Sequence, residues 1–396
     1  LSAALRLASQ GYKVDVYEQN DLPGGKANQI LQEGFRFDTG PSLLTMPFVL
    51  KELFEYSGER IEDYLEVIPL NILCKYCYYD GTVINSYSDL DKFSSEIENK
   101  TSDKAVKVKE YLNYSKTIYD LTADLFLYGS FSDIKNFINL KSLKTLINIH
   151  KIDPFRTMHN ANKSFFKDSK TIQLFDRYAT YNGSNPYEVP ATLNIIQHVE
   201  YNLGGYIIKD GIYSIAESLF KLNIKKGVDF YFNSSIEKIL LDGKRVNGIT
   251  INNKGKITNR DYDVVISNAD VNLTYEKLLN DTKSKSALRY KKQTPSSSAL
   301  VFYWGVEGNY NELEIHNILF SKNYKKEFDD LFVRKKYPDD PTVYIYISSK
   351  FRKDDAPDGY ENWFVMINVP YLNGEENTNE IDKARKTIQE KINNIL

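Results

Sequence analysis

The chain has 396 residues, of which 13% are aromatic and two are cysteines, and its formal net charge is −2. This length predicts two or three compact units, and the balanced charge gives no reason to expect a nucleic-acid partner. Two cysteines cannot build a disulfide framework, which fits a reducing compartment, and no run of about 18 apolar residues predicts a transmembrane helix.

The first elements predict the second half of a βαβ unit. Residues 1–10 are rich in helix formers with apolar residues at helical spacing, and Gly11 follows where a helix C-cap belongs. The run KVDVYE alternates Val14 and Val16 with polar residues and predicts a strand that ends at Glu18. In dinucleotide-binding folds an acid at this place binds the adenosine ribose, although a solvated acid explains Glu18 in isolation. The glycine-rich phosphate loop belongs just before the helix, so the chain is expected to begin inside its own motif.

The loop after this strand carries a second signal. DLPGGKAN places Gly24 and Gly25 beside Lys26, where backbone amides can approach a diphosphate and a cation can offset its charge. Then GFRFDTGPSLLTMP predicts a short hairpin strand and a turn. A hairpin alone explains GFRFDTGPSLLTMP equally well, but the strand-end acid, the glycine loop and this stretch together are more specific than any one of them.

Residues 85–200 have a mostly helical pattern, whereas residues 201–396 mix strands, Asp-Gly turns and a final helix near Asn379. Residues 136–152 are amphipathic and predict either a packed helical layer or a lip on a membrane surface, with Lys135, Lys141 and Lys144 facing anionic headgroups. Cys74 and Cys77 form a C-x-x-C in a strand-like run, which argues against a redox pair because positions three apart face opposite sides of a strand. The four histidines are scattered, so no metal site is expected.

Residues 1–47 closely resemble the N-terminus of the bacterial-type phytoene desaturases and related carotenoid desaturases. The likeness continues through LGGYIIKDGIYSIAESLFKL, where Ile208 and Asp210 replace an expected proline and glycine, and through GVDFYFNSSIEKILLDGKRVNGITINN and DYDVVISNADV. FDRYATYNGSNPYEVPATLNIIQHVE is more similar to the 1-hydroxycarotenoid 3,4-desaturases. The family's glycine-rich C-terminal flavin segment is not found, so both ends of the cofactor site are expected to be missing.

The resemblance implies an α/β fold: a Rossmann-like FAD-binding domain with a parallel sheet, interleaved with an α+β substrate domain, as in the glutathione-reductase-2 or amine-oxidase-like architecture. Residues 1–84 and 201–295 would form the FAD-binding domain, and residues 85–200 and 296–396 the substrate domain. DYDVVISNADV would be a strand that returns to the flavin domain. The implied FAD-binding residues are Glu18, Gly24, Gly25, Lys26, Gly40, Pro41, Ser42, Ile236 (beside the adenine), Asn268 and Ala269.

The implied activity is FAD-dependent desaturation of a carotenoid by hydride transfer to the flavin, and the similarity of residues 175–200 implies a hydroxycarotenoid 3,4-desaturase of carotenoid biosynthesis. The implied partners are the carotenoid, a membrane surface, and dioxygen or a quinone as electron acceptor. The implied location is cytoplasmic, peripheral to the inner membrane. No general base stands out, and Arg177, Tyr178 and Tyr181 fit either a substrate site or a core. Three alternatives remain: a phytoene desaturase acting on the unhydroxylated chain, a flavin amine oxidase, and a non-enzymatic prenyl-lipid escort of the GDP-dissociation-inhibitor type.

Overall fold

A computed structural model describes residues 1–129, 148–372 and 378–395. The chain divides into two compact units that alternate along the sequence. The first unit comprises Leu1–Asn28, Phe48–Leu65 and Ile212–Pro295, and the second comprises Gln29–Pro47, Glu66–Gly211 and Ser296–Leu396.

The strands, in chain order, are β1 (Asp15–Tyr17), β2 (Gln29–Gln32), β3 (Phe35–Asp38), β4 (Leu44–Thr45), β5 (Val67–Pro69), β6 (Ile72–Cys77), β7 (Val83–Tyr87), β8 (Gly205–Ile208), β9 (Asp229–Tyr231), β10 (Ser234–Asp242), β11 (Arg245–Asn253), β12 (Lys256–Asp261), β13 (Ser298–Glu307), β14 (His316–Leu319), β15 (Val343–Tyr346) and β16 (Tyr360–Val369). The α-helices are α1 (Ser2–Ser9), α2 (Pro47–Tyr56), α3 (Leu90–Lys100), α4 (Ala105–Phe126), α5 (Met158–Phe165), α6 (Ser169–Asp176), α7 (Ile195–Gln197), α8 (Tyr213–Lys225), α9 (Val271–Leu273), α10 (Lys285–Lys291), α11 (Tyr324–Phe328) and α12 (Thr378–Ile395).

The first unit contains the predicted helix–turn–strand. Helix α1 buries Leu5 fully, and the chain leaves the helix through Gly11, whose φ of 88° is one that other residues rarely adopt. Strand β1 then pairs in parallel with β9. The Phe220 ring of α8 packs edge-on against Phe230 of β9 at 4.7 Å. The predicted parallel arrangement is therefore present.

A three-stranded antiparallel sheet, β10–β11–β12, completes the regular strands of this unit. Lys254 and Gly255 both have positive φ in the tight turn between β11 and β12, as a two-residue hairpin turn requires. The predicted Asp-Gly turn lies between β10 and β11, with Gly243 at a φ of 59°.

The second unit is built on a six-stranded mixed sheet in the order β13–β16–β15–β14–β6–β7. One face packs against helix α12, which buries Ala384, Ile388 and Ile392 at four-residue spacing. The other face carries an aromatic core that includes Tyr76 and residues from α3, α4 and α6. The hairpin β2–β3 and the small sheet β4–β8–β5 belong to the same unit.

Two sequence expectations differ from the structure. Residues 262–270 form no strand, because no described strand pairs with them, and Val264 and Ile266 are 72% and 59% exposed. Three segments assigned to the flavin-domain parts, residues 29–47, 66–84 and 201–211, lie in the second unit. Residues 66–84 do so because β6 pairs with β14 and β7 in the six-stranded sheet. The assignment of the parts to cofactor and substrate stays a prediction.

The helical pattern predicted for residues 85–200 is confirmed by α3–α7 within residues 85–129 and 148–200, which the structure describes, and the final helix near Asn379 is confirmed by α12. The membrane-lip hypothesis on Lys135, Lys141 and Lys144 falls outside the described residues.

Candidate functional site

The predicted ribose-binding acid stands at the carboxyl end of a parallel strand pair. Glu18 follows β1 directly, its backbone N–H donates to the Tyr231 carbonyl at 3.0 Å, and its own carbonyl accepts from Ser234 N–H at 2.9 Å. Its carboxylate oxygen Oε1 accepts from the backbone N–H and the side-chain amide of Asn20, both at 2.9 Å. No hydrogen bond from a described residue reaches Oε2, so half of this half-buried carboxylate can still accept.

The loop that follows is a tight turn built on two glycines. The Ala27 N–H donates to the Gly24 carbonyl at 3.1 Å, and Gly24 and Gly25 have φ values of 119° and 61°. A Cβ on Gly24 would lie 2.2 Å from the Ala27 carbonyl oxygen, so a side chain cannot fit there. Lys26 is exposed at the turn, and its ammonium forms no ion pair with the described residues. The loop therefore presents a ligand with the backbone of two glycines, which have no side chain of their own to cover it, and with one ammonium group.

The other predicted residues of the first unit are spread over two segments. Ile236 is half-buried on β10, two residues after the Ser234 that bonds to Glu18. Asn268 and Ala269 are exposed in the irregular segment before α9, where Asp270 caps the helix by accepting from Asn272 N–H at 2.8 Å.

Gly40, Pro41 and Ser42 lie in the second unit, in the loop between β3 and β4. Ser42 Oγ is 2.5 Å from the hydroxyl of Tyr344 on β15, and the same hydroxyl is 2.7 Å from Nδ1 of His316 on β14. The His316 ring stacks on Tyr346 at 5.1 Å. Burial, together with the charge of Arg177, lowers the pKa of His316 to about 3, so this ring is neutral near pH 7.

A second polar cluster lies on the same face of the unit. The Arg177 guanidinium contacts Glu200 Oε1 at 3.3 Å and donates from Nε to the Tyr76 hydroxyl at 2.7 Å. Tyr178 donates to Glu200 Oε1 at 2.6 Å, and Tyr181 donates to Oε2. Arg177, Tyr178 and Glu200 are buried, whereas Tyr181 is 46% exposed. The two charges are thus paired and closed in by phenol rings, with one ring at the surface.

A third buried network holds the hairpin that precedes Ser42. Arg36 on β3 pairs with Asp38 at 2.7 Å and with Asp355 at 3.2 Å. Gly211 makes room for this arginine, because a Cβ there would lie 2.2 Å from Arg36 Nη2. Asn362 donates from its side chain to the Arg36 carbonyl at 2.6 Å. This network fixes the strand from which the Gly40–Ser42 loop leaves.

The C-x-x-C pair lies on strand β6, as predicted, with its cysteines on opposite faces. Cys74 packs into the aromatic core and Cys77 into the cluster that includes α12. Burial raises the pKa of the Cys74 thiol to about 12, so it is a poor nucleophile and metal ligand.

Sequence reasoning named Arg177, Tyr178 and Tyr181 but missed Glu200, Tyr344 and His316. Glu200 could have been noticed as an acid within the apolar run before LGGY. His316 could have been noticed as a histidine at the start of a buried strand. Neither signal reveals its partner, because Tyr344 is 302 residues from Ser42 and 28 from His316.

The residues of the first unit fit the adenosine diphosphate part of FAD. An acid with a free acceptor oxygen ends a parallel strand, and a glycine turn that excludes side chains follows it with an unpaired cation. The donor set matches a ribose diol and a diphosphate.

Comparison with known proteins also indicates a flavin cofactor. Residues 1–340 match the family model described as flavin containing amine oxidoreductase. The chain is 41% identical to a 1-hydroxycarotenoid 3,4-desaturase of Flavobacterium sp. (strain P99-3), over 100% of its own length and 80% of the relative's. It is 32% identical to a 4,4'-diaponeurosporene oxygenase of Staphylococcus haemolyticus (strain JCSC1435), over 96% of this chain and 75% of that protein.

Solved structures agree on the fold at low identity. An oxidoreductase from Methanosarcina mazei matches with a TM-score of 0.63 and 14% identity, covering 100% of this chain and 81% of that one. Putrescine oxidase bound to putrescine matches at 0.60 and 12%, covering 100% and 78%. A Rab GDI from Plasmodium falciparum matches at 0.52 and 13%, covering 98% and 83%. The predicted amine-oxidase-like α/β fold is confirmed.

The flavin-family match over residues 1–340 identifies the cofactor as FAD, and the Glu18–Lys26 segment is compatible with it. The predicted flavin-dependent oxidoreductase class is likewise confirmed. The chain belongs to the flavin-containing amine oxidoreductase family and, within it, to the carotenoid desaturases and oxygenases.

Proposed function

We propose that this protein desaturates a hydroxylated carotenoid at its 3,4 bond. The observation that carries the proposal is the 41% identity to a 1-hydroxycarotenoid 3,4-desaturase over the whole chain. The aromatic face of the second unit supports it, since large apolar rings there surround a few neutral hydroxyl and imidazole groups. Such an aromatic interior is chemically compatible with a long polyene that carries one hydroxyl group.

The flavin supplies the acceptor for a hydride removed from the substrate. The protein's own residues then have to hold the chain, exclude water and accept one proton. We propose that the hydrogen-bonded chain Ser42–Tyr344–His316 and the Tyr181–Glu200 pair belong to the substrate-binding site. Both combine a buried polar group with a more accessible ring.

We also propose that FAD is held by the residues predicted from the sequence. Glu18 binds the ribose hydroxyls through Oε2, the Gly24–Gly25 turn and Lys26 bind the diphosphate, and Ile236 packs against the adenine. Gly40, Pro41, Ser42, Asn268 and Ala269 contribute the remaining contacts. Glu18→Gln should lower the flavin absorbance per mole of purified protein, whereas the exposed control Glu33→Gln should not.

The deciding experiment supplies the full-length enzyme with an acyclic carotenoid bearing a tertiary hydroxyl and with the same carotenoid lacking it. Loss of two hydrogens from the hydroxylated carotenoid, seen by mass and a red-shifted absorption spectrum, is the expected result. Faster reaction of the unhydroxylated chain would instead assign a phytoene-type desaturase. Peroxide formation with amines and no reaction with either carotenoid would contradict the proposal.

A carotenoid oxygenase is the second candidate, because the chain is 32% identical to 4,4'-diaponeurosporene oxygenases. An oxygenase adds the mass of oxygen to its product, so the same mass spectrum separates the two activities.

We further propose that the enzyme works at a membrane surface and passes electrons to dioxygen or a quinone. Every helix among the described residues is too short or too polar to span a bilayer. Leu127, Tyr128, Ile149 and Phe155 are large apolar side chains that remain exposed, with Phe155 at 88%. Such residues favour contact with lipid. Flotation with anionic vesicles should be weakened by Phe155→Asp, and unchanged flotation would contradict a role for Phe155 in membrane binding.

A further inference from the structure

His316, in the sheet of the second unit, has a ring nitrogen without a partner. It opens strand β14 and is 3% exposed. Its Nδ1 bonds to the Tyr344 hydroxyl at 2.7 Å, but its Nε2 has no hydrogen-bond partner among the described residues and is closed to solvent. Burying a nitrogen without a hydrogen-bond partner costs free energy of folding, so its presence here calls for an explanation.

The groups that face this ring define its chemistry. Tyr344 and Tyr346 stack on it from β15 with interplanar angles of 13°, and Arg177 is the charged group near it. Ser42 Oγ hydrogen-bonds to the Tyr344 hydroxyl and thereby extends the chain of hydrogen bonds that begins at His316. Because burial keeps the imidazole neutral, it carries one proton on two nitrogens.

The neutral ring complements a hydroxyl group in either of its tautomers. If Tyr344 donates to Nδ1, then Nε2 carries the proton and needs an acceptor. If Nδ1 donates to Tyr344, then Nε2 is an acceptor and needs a donor. A hydroxyl group is both a donor and an acceptor, so it satisfies Nε2 in each case, whereas a carbonyl satisfies it in only one.

We propose that Nε2 of His316 binds the terminal hydroxyl group of the carotenoid and thereby selects hydroxylated over unhydroxylated substrates. This inference rests on the proposed function. Nε2 is closed to solvent, so the rings that neighbour it must separate to admit the hydroxyl group. An unhydroxylated end leaves Nε2 unpaired and is therefore bound less well.

The test compares the two carotenoids, with and without the tertiary hydroxyl, on the full-length wild type and on His316→Phe. Phe keeps the aromatic stack but has no nitrogen. The ratio of kcat/KM for the two substrates should be about tenfold or more in the wild type and should fall close to one in the variant. Quenching of the fluorescence of Trp304 and Trp363 by each carotenoid measures its affinity, so the ratio of the two affinities reports the preference in binding alone.

His198→Phe is the matched control, because His198 is also buried and bonded through Nδ1, at 2.6 Å from Asn202 Nδ2, away from the Ser42–Tyr344 chain. It should leave the substrate ratio as in the wild type. If His316→Phe fails to fold, His316→Gln, whose amide both donates and accepts, should retain part of the preference.

An equal loss with both carotenoids in His316→Phe would make His316 a structural residue and overturn the inference. A wild type that desaturates both carotenoids equally well would refute the inference while leaving the desaturase function intact. A wild type that desaturates neither would refute the proposed function and the inference together.

Discussion

The buried neutral His316 makes the stability of the protein depend on pH in a way that can be calculated. In the unfolded chain its pKa is close to 6.5, whereas in the folded protein burial and the nearby Arg177 lower the pKa to about 3. Since the unfolded state binds the proton more tightly, protonation favours unfolding. The stabilisation is complete above pH 6.5 and is lost progressively as the pH falls toward 3.

The size of the effect follows from the two pKa values. The difference between 6.5 and about 3 corresponds to about 5 kcal/mol once the pH is below both values. At pH 5, where the unfolded histidine is almost fully protonated and the folded one is not, the loss relative to pH 8 is about 2 kcal/mol.

His316→Phe isolates this contribution, because every other titrating group stays in place. At pH 8 the variant should be within about 1 kcal/mol of the wild type, because the lost bond to Tyr344 is offset by removal of the unsatisfied Nε2. At pH 5 the variant should be the more stable of the two by about 2 kcal/mol.

The assay is urea unfolding of both proteins with their FAD, followed by tryptophan fluorescence at pH 8, 6.5 and 5. The quantity compared is the difference between wild type and variant at each pH, which cancels the titration of shared groups. If the two stability curves stay parallel from pH 8 to 5, the imidazole is not held neutral, and it cannot recognise a hydroxyl group in the proposed way.

Three further perturbations test the networks around the site. Gly211→Ala should cost about 3–5 kcal/mol in urea unfolding, since its Cβ would displace the buried Arg36 guanidinium and its φ of 84° disfavours a side chain. Glu200→Gln should cost a similar 3–5 kcal/mol or so, because it leaves the Arg177 charge buried without a counter-ion. Cys74 should remain unmodified by a thiol reagent at pH 8 until the protein unfolds, since burial raises its pKa to about 12.

Each of these perturbations has a control within the chain. Gly81→Ala has a similar φ of 81° but open space around its Cβ, so it should cost only about 1–2 kcal/mol. Tyr181→Phe removes one hydrogen bond to Glu200 and leaves the ion pair, and a loss as large as that of Glu200→Gln would show that the charge is not the reason. Cys77 is buried in the other cluster and should react only together with Cys74.

The sequence predicted those parts of the fold that depend on local pattern. The α1–β1 unit, the Asp-Gly turn at Gly243 and the final helix are each determined by periodicity, a glycine or a cap within a few residues. The prediction of a strand at residues 262–270 was wrong for the opposite reason. The family resemblance of DYDVVISNADV implied this strand, but a strand also needs a partner, and no described strand pairs with residues 262–270.

The polar networks of the second unit could not be predicted in the same way. Arg36 and Asp355 are 319 residues apart, and Ser42 and Tyr344 are 302 apart, so no spacing in the sequence announces either contact. The resemblance to a family predicted FAD-binding segments because their motifs are short, and the roles of these residues stay predictions. It gave no residue for recognition of the substrate end, since those groups meet only after the sheet has formed.

The chemistry of the substrate explains why a neutral histidine, rather than one of the charged residues, would recognise it. A charge buried beside a polyene must keep its counter-ion, and the charges of the Arg177–Glu200 pair are already satisfied by each other and by three phenol hydroxyls. A neutral imidazole costs much less to bury, and one unsatisfied nitrogen makes the site discriminate, because only a hydroxylated end removes the penalty. The discrimination therefore arises from what His316 lacks in the folded protein, and it is lost as soon as the ring is protonated or replaced by phenyl.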